Sequence, residues 1–264
     1  MDCLRRLGHA LAALLALAVP LRAAEPVDVA LALAVDISLS MDQDELRAQR
    51  DGYVAALEHP AVLDAIARGA RGRIALTYFE WAGPWSQTVV APWTVIATPE
   101  DAAAFAQRLA FAPLRSGRGT SISGAIAFGL DLLGAAPPAD RRVIDVSGDG
   151  PNNLGVPVEQ ARDAALAQGV EINGLPLMFK RPDMLFSIPD LDIYYEECVI
   201  GGPTAFVLPV LGPERFVDAV RTKLIMEIAG VQPPARLIRA ASTRIDCMIG
   251  ERLYRAWRSR LDGN

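Results

Sequence analysis

Three cysteines and two histidines are scattered over 264 residues, and one of each falls within the first nine. That scarcity argues against a structural zinc centre, which draws four ligands from Cys and His. It also leaves His59 as the imidazole available beyond the start of the chain for a Ser-His-Asp hydrolase. His59 is followed by Pro60 in what reads as a turn between helices, and no G-x-S-x-G elbow occurs. Positive charge is in deficit too, with 26 Lys and Arg against 31 Asp and Glu, which speaks against nucleic acid as a partner. What is plentiful is apolar side chain: 52% hydrophobic and 22% charged residues describe a globular chain able to bury a core, with no linker in its middle.

Long apolar runs are also missing. The Leu11–Val19 stretch falls short of the ~20 residues of a spanning helix, but with Arg5 and Arg6 before it and the small residues Ala23 and Ala24 after it, it has the layout of a cleaved export signal over residues 1–24. The expected location is therefore periplasmic or secreted, with no membrane span in the mature chain. Cleavage would remove Arg5, Arg6, Arg22 and Asp2, a net of +2, and take the formal charge from −5 to −7. Cys198 and Cys247 would then be the remaining cysteines, and in an oxidising compartment the pair reads first as a disulfide, with two buried thiols as the alternative.

Along the mature chain, strand and helix patterns alternate. Val27–Val35 is a nearly unbroken apolar run suited to a strand buried on both faces, and Gln43–Leu57 has helical spacing with acidic residues at its start. Extended runs over Arg73–Phe79 and Gln87–Ile96 precede a helix opened by Thr98 and Pro99 and running to Leu109. A glycine loop at Gly117 and Gly119 leads into a helix over Ser121–Leu133. Strands over Val143–Val146 and Val170–Leu175 flank a helix over Val158–Ala167. Arg181–Asp192 reads as irregular, Thr204–Val210 as a strand and Pro213–Ile228 as an amphipathic helix. The pattern predicts an α/β fold of three layers, a mostly parallel central sheet with helices on both faces. Residues 25–230 form the expected domain, and 231–264 an appended tail with a basic helix near Glu251–Arg260.

In such a sheet the ligand site lies beyond the carboxyl ends of the strands. Asp36, Ser38 and Ser40 follow the first strand, and their D-x-S-x-S spacing turns three oxygens to one side if the segment stays extended. Thr120 precedes one helix, and Asp149 follows a buried strand in Ser147-Gly148-Asp149-Gly150. Oxygen ligands of this kind suit a hard divalent cation. Read alone, DISLS is equally a helix cap. Asp145 lies inside its strand and reads as a structural carboxylate, and Asn152 and Asn153 as turn-formers.

Taken together, Asp36-Ile37-Ser38-Leu39-Ser40, Thr120 and Asp149-Gly150 resemble the metal-ion-dependent adhesion site of the von Willebrand factor A family, in order and loop placement over Val27–Ile228. The resemblance implies a Rossmann-like fold, with Ser38, Ser40 and Thr120 as hydroxyl ligands and Asp36 and Asp149 acting directly or through water. The ion would be Mg²⁺, or Mn²⁺ or Ca²⁺, and the function binding of a protein partner that offers Asp or Glu to the metal. The segments SGDGPNN, YYEECVIGGPTAF and KLIMEIAG are similar to a group of exported bacterial A-domain proteins of unknown function. Two other classes stay open: a metal-dependent hydrolase or phosphatase, for which Ser38 stands where a second acidic residue is usual, and an envelope factor whose metal is purely structural.

Overall fold

The computed structural model describes residues 25–179, 187–231 and 244–262. The expected export signal and residues 181–186 of the expected irregular stretch lie outside them.

Five strands form one sheet in the order β3-β2-β1-β4-β5. They are β1 (Val27–Asp36), β2 (Ile74–Trp81), β3 (Gln87–Ile96), β4 (Ala139–Gly148) and β5 (Glu171–Pro176). All neighbours are parallel except the edge strand β3, which runs antiparallel to β2. The helices are α1 (Gln43–Leu57), α2 (Pro60–Ala67), α3 (Pro99–Phe111), α4 (Ile122–Gly134), α5 (Val158–Leu166), the short α6 (Leu191–Tyr194), α7 (Phe216–Ala229) and α8 (Ile249–Asp262). A π-helical turn, Tyr195–Val199, continues α6. Among the described residues, no helix is long and apolar enough to cross a membrane.

The centre of the sheet follows from the two-residue period of β1. Val29, Leu31, Leu33 and Val35 point to one face and meet Leu46 and Tyr53 of α1, Phe105 of α3 and Phe216 and Val220 of α7. Ala30, Ala32 and Ala34 point to the other and meet Ile122 and Ile126 of α4, Val158 of α5 and Tyr195. The alanine face lets α4 lie close to the sheet, and a methyl group added at Gly129 would come 3.1 Å from Ile144. From Val29 to Val35 every residue has 0% exposure, so β1 is the middle of a three-layer fold rather than an edge.

One segment differs from the sequence reading. Thr204–Val210 does not form a strand; it touches the sheet through isolated bridges at Val207 and Val210, with hydrogen bonds such as Leu208 N–H to the Gly174 carbonyl at 3.0 Å. Pro203 and Pro209 have no N–H to donate, so a continuous ladder cannot form there. His59-Pro60 does lie between two helices, as expected: Pro60 takes the first position of α2, and His59 Nδ1 accepts from the Ala61 N–H at 3.1 Å.

On its inner face α7 carries Lys223 and Glu227, one turn apart and both buried. Lys223 Nζ is paired with Asp145 of β4 and with Glu227 Oε1 at 2.5 Å, and Glu227 Oε1 also accepts from Asn173 Nδ2 of β5 at 3.0 Å. One buried cation thus serves two buried carboxylates. Burial, then the Glu227 charge, pushes the Asp145 carboxyl up to about 7, against the pull of Lys223. A folded-state value above the ordinary 3.8 means that folding favours the protonated acid. The stability this contributes is complete below that ordinary value and is lost as pH rises through about 7. Replacing Asp145 by Asn should therefore help more at neutral than at acid pH, so the difference in denaturation midpoint between variant and parent should grow in the variant's favour from about pH 4 to pH 8. Lys223→Met should lose on the order of 3–5 kcal/mol, because it leaves two carboxylates buried without a cation. A gap that is flat with pH, or a harmless Lys223→Met, would refute this account of α7.

Candidate functional site

At the carboxyl end of β1 the chain stays extended as far as Ser38 because it borrows hydrogen bonds from its neighbours. Ile37 N–H donates to the Trp81 carbonyl, the Ile37 carbonyl accepts from Gly117 N–H at 2.8 Å, and Ser38 forms an isolated parallel bridge with Gly117. Leu39 and Ser40 then lie in a turn, closed by Met41 N–H on the Ser38 carbonyl at 3.1 Å, so strand period places Ser38 and the turn brings Ser40 back to it. The Ser38 and Ser40 hydroxyls lie 2.9 Å apart, and Ser40 Oγ donates to Asp149 Oδ1 at 2.7 Å. Ser38 N–H donates to Asp36 Oδ1 at 2.7 Å. Four of the five residues singled out in the sequence are thereby joined in one hydrogen-bonded set.

Thr120 is buried and lines the same cavity as Ser38 and Ser40. Its loop is held by the segment that follows Asp149: Asn153 Oδ1 accepts from Thr120 N–H at 2.9 Å, and Asn153 N–H returns a bond to the Thr120 carbonyl at 2.8 Å. Asn152 Oδ1 likewise accepts from Ser123 N–H at 3.0 Å, in the first turn of α4. Beyond shaping a turn, the two asparagines bolt the second loop to the third. Their partners lie about thirty residues away in sequence, beyond the reach of local pattern. Gln49 of α1 was likewise silent in the sequence; its Nε2 donates to the Asp36 carbonyl at 2.9 Å and fixes where β1 ends.

The electrostatics of the set are unfavourable as they stand. Asp36 has 0% exposure and its Oδ2 has no hydrogen-bond partner among the described residues. Burial first, and the Asp149 charge second, hold its carboxyl well above the usual range, although N–H groups of Ser38 and Asp149 pull the other way. A buried carboxylate oxygen beside a second carboxylate has the environment a cation would relieve. Among the described residues, no group of three or more His, Cys, Asp or Glu assembles, so a cation here would rely on hydroxyls and water beyond the two carboxylates. Asp145, within β4, is engaged by Lys223.

Cys198 and Cys247 form the disulfide expected of that pair, with Cα atoms 5.5 Å apart. The bond fastens the segment before α8 to the π-helical turn behind the loops.

The family described as "Protein of unknown function (DUF1194)" matches residues 26–232. No curated protein matches the chain in sequence. Among solved structures, proximal thread matrix protein 1 of the mussel byssus is similar at 14% identity and a TM-score of 0.57, over 78% of this chain and 49% of that one. A second form of the mussel protein, described as having a zinc-occupied metal-ion-dependent adhesion site, gives 15% identity and 0.57 over 78% and 48%. A von Willebrand factor type A protein from Catenulispora acidiphila gives 15% identity and 0.54 over 77% and 43%. The chain thus spans about half or less of the length of these structures. Together they show a von Willebrand factor A-like fold.

Gly148, the last residue of β4, is a tight point at the start of the third loop. A Cβ there would lie 2.9 Å from both Asp36 Oδ2 and the Tyr195 hydroxyl. Gly148→Ala should destabilise by about 1–3 kcal/mol as the loop shifts to relieve the overlap. Gly134, at the end of α4, has nothing within 4 Å of the added carbon, and Gly134→Ala should be neutral or slightly stabilising. Urea denaturation of both variants makes the comparison, and equal stabilities would contradict the crowding at Gly148.

Proposed function

We propose, from the premise that the chain belongs to the DUF1194 family and has a von Willebrand factor A-like fold, that it is an exported, non-enzymatic binding module. In this reading it presents a divalent cation, held by Asp36, Ser38, Ser40, Thr120 and Asp149, to an acidic group on a protein partner. The observation that carries the reading is the fully buried Asp36, with an unpartnered oxygen, at the root of a hydrogen-bonded set that runs through Ser38 and Ser40 to Asp149. An ion bound mainly by neutral hydroxyls and water keeps most of its charge and a replaceable position, which a carboxylate can fill. Ser38, Ser40 and Thr120 supply hydroxyl oxygens, Asp36 and Asp149 supply charge directly or through water, and Asn153 and Gln49 hold the loops in place. The metal site reported for the mussel byssus protein, and the likeness in fold to a pilus adhesin of Lactobacillus rhamnosus GG (14% identity, TM-score 0.55, covering 77% of this chain and 30% of that one), support a module of this type.

Catalysis is disfavoured by chemistry. The imidazole of His59 accepts from Ala61 N–H through Nδ1 and faces Arg221 through Nε2, so its two nitrogens are directed at α2 and α7 rather than at the serines of the loops. Residues 1–24 as a removed signal, 25–230 as the domain and 231–264 as a tail packed on it complete the proposal.

Titration calorimetry of the mature chain with Mg²⁺ and Mn²⁺ tests it. One site is expected, abolished in Asp36→Ala and in Asp149→Ala; Ser40→Ala should weaken binding less, because water can replace a hydroxyl. Asp36→Asn should also raise the melting temperature in chelator by removing a buried like-charge contact, even as it loses the ion. Unchanged metal binding in both alanine variants would overturn the assignment.

A further inference from the structure

The three loops do not enclose the cavity beside Asp36 and Asp149 by themselves. A fourth wall comes from α8, which follows the disulfide and lies beyond residue 232, where the family match ends. Its first turn is fastened to the segment after Asp149. Glu251 Oε1 accepts from Asn152 Nδ2 at 2.6 Å, and Tyr194 bridges the same junction, accepting from Asn152 N–H and donating to the Cys247 carbonyl. Gly250 packs so closely that a Cβ would come 2.0 Å from the Asn152 carbonyl oxygen, so the seat of the helix tolerates no other side chain.

Seated there, α8 sets the half-buried rings of Tyr254 and Trp257, 5.6 Å apart, across a cavity of about 350 Å³ from Ser38, Ser40 and Thr120, with Arg118 also in its lining. That volume is in the range of pockets that enclose a small group rather than meet a flat surface. A lone carboxylate needs only the hydroxyl side of this cavity. The rings, together with the 60%-exposed Leu39, add binding energy only if the ligand carries apolar atoms beside its acid. A sugar acid would bring ring hydroxyls that need several more polar partners. Beyond the hydroxyl set, the polar side-chain groups of the lining are Arg118, Asn153, which already holds Thr120, and the single hydroxyl and indole N–H at the tips of Tyr254 and Trp257, whose rings are otherwise apolar. With four arginines against two acidic residues, α8 is net positive on an otherwise acidic chain.

We propose that α8 makes the site selective for a peptide Asp or Glu flanked by a large apolar or aromatic residue, with Tyr254 and Trp257 as the specificity-determining side chains. The inference rests on the metal reading of Asp36 and Asp149.

The test uses the full mature chain loaded with Mn²⁺. Its probes are immobilised peptides with blocked ends, each carrying a single Asp, Glu, Asn or Gln with Gly, Ser, Leu, Phe or Trp on either side. The parent should bind the Asp and Glu peptides in a chelator-sensitive manner and favour Phe, Trp or Leu neighbours over Gly by on the order of tenfold. Trp257→Ala and Tyr254→Ala should lose most of that preference while keeping Mn²⁺ affinity, helix content and the need for a carboxylate, and Trp257→Phe should retain most of it. The proposal is overturned if the parent has no neighbour preference, if both alanine variants keep it, or if the loaded protein binds none of the acidic peptides. Failure of the parent to bind Mn²⁺ in calorimetry overturns the metal reading itself, and this proposal with it.

Discussion

A carboxylate taken wholly out of water must find charge or hydrogen bonds to replace it, and the upper edge of this sheet is organised around one that is incompletely supplied. Asp36 terminates the central strand of the sheet, within reach of the Asp149 charge, with one oxygen held by Ser38 and the other unpartnered among the described residues. Holding such a group in place demands rigidity on all sides. The surrounding bonds supply it: Gln49 from α1, the Ser38–Gly117 bridge from the second loop, and the reciprocal Asn153–Thr120 bonds that tie the second loop to the third. Like charges would relax apart in a soft loop; here backbone ladders anchor them.

A second buried polar centre solves the same problem differently. Lys223 on α7 carries its own cation to Asp145 and Glu227, so that cluster is closed by the chain itself. The contrast between the two centres is informative. Both lie on strands that leave the same core, yet Asp145 has a lysine beside it, and Asp36 has serine hydroxyls, a neighbouring aspartate and a cavity. The first is a fastening between helix and sheet. The second leaves a buried carboxylate oxygen without a hydrogen-bond partner among the described residues, next to a cavity.

The C-terminal helix alters the character of that opening. Three loops at the rim of an α/β sheet would offer a shallow acceptor. With α8 locked by a disulfide, a Glu–Asn hydrogen bond and a glycine contact, the same loops become one side of a pocket whose other side is aromatic. The proposed selectivity would thus reside on an element beyond residues 26–232, the part that the family model matches.

Much of the fold was legible in the sequence because the physics there is local. The apolar run of Val27–Val35, the acidic opening of α1 and the Thr98-Pro99 start of α3 each announce an element within a few residues, and their alternation dictates a parallel, helix-covered sheet. The spacing of Asp36, Ser38 and Ser40 is local as well: a period of two aligns the first two, and a turn of one more residue pair returns Ser40 to them. Pairings between distant residues were not legible. Thr204–Val210 has strand-like composition, yet its prolines deny it a ladder, a fact that matters only once β5 lies alongside. Asn153 on Thr120, Gln49 on Asp36 and Lys223 on Asp145 join residues 33, 13 and 78 positions apart, and a residue type has no direction until the fold supplies one. The sequence by itself determined the layers, the order of the elements and the oxygen-bearing character of the loops at one sheet edge. Tertiary structure alone decided that Asp36 would be buried with an unpartnered oxygen and that Tyr254 and Trp257 would stand across from the serines, because burial and facing are set by packing between segments that no local pattern relates.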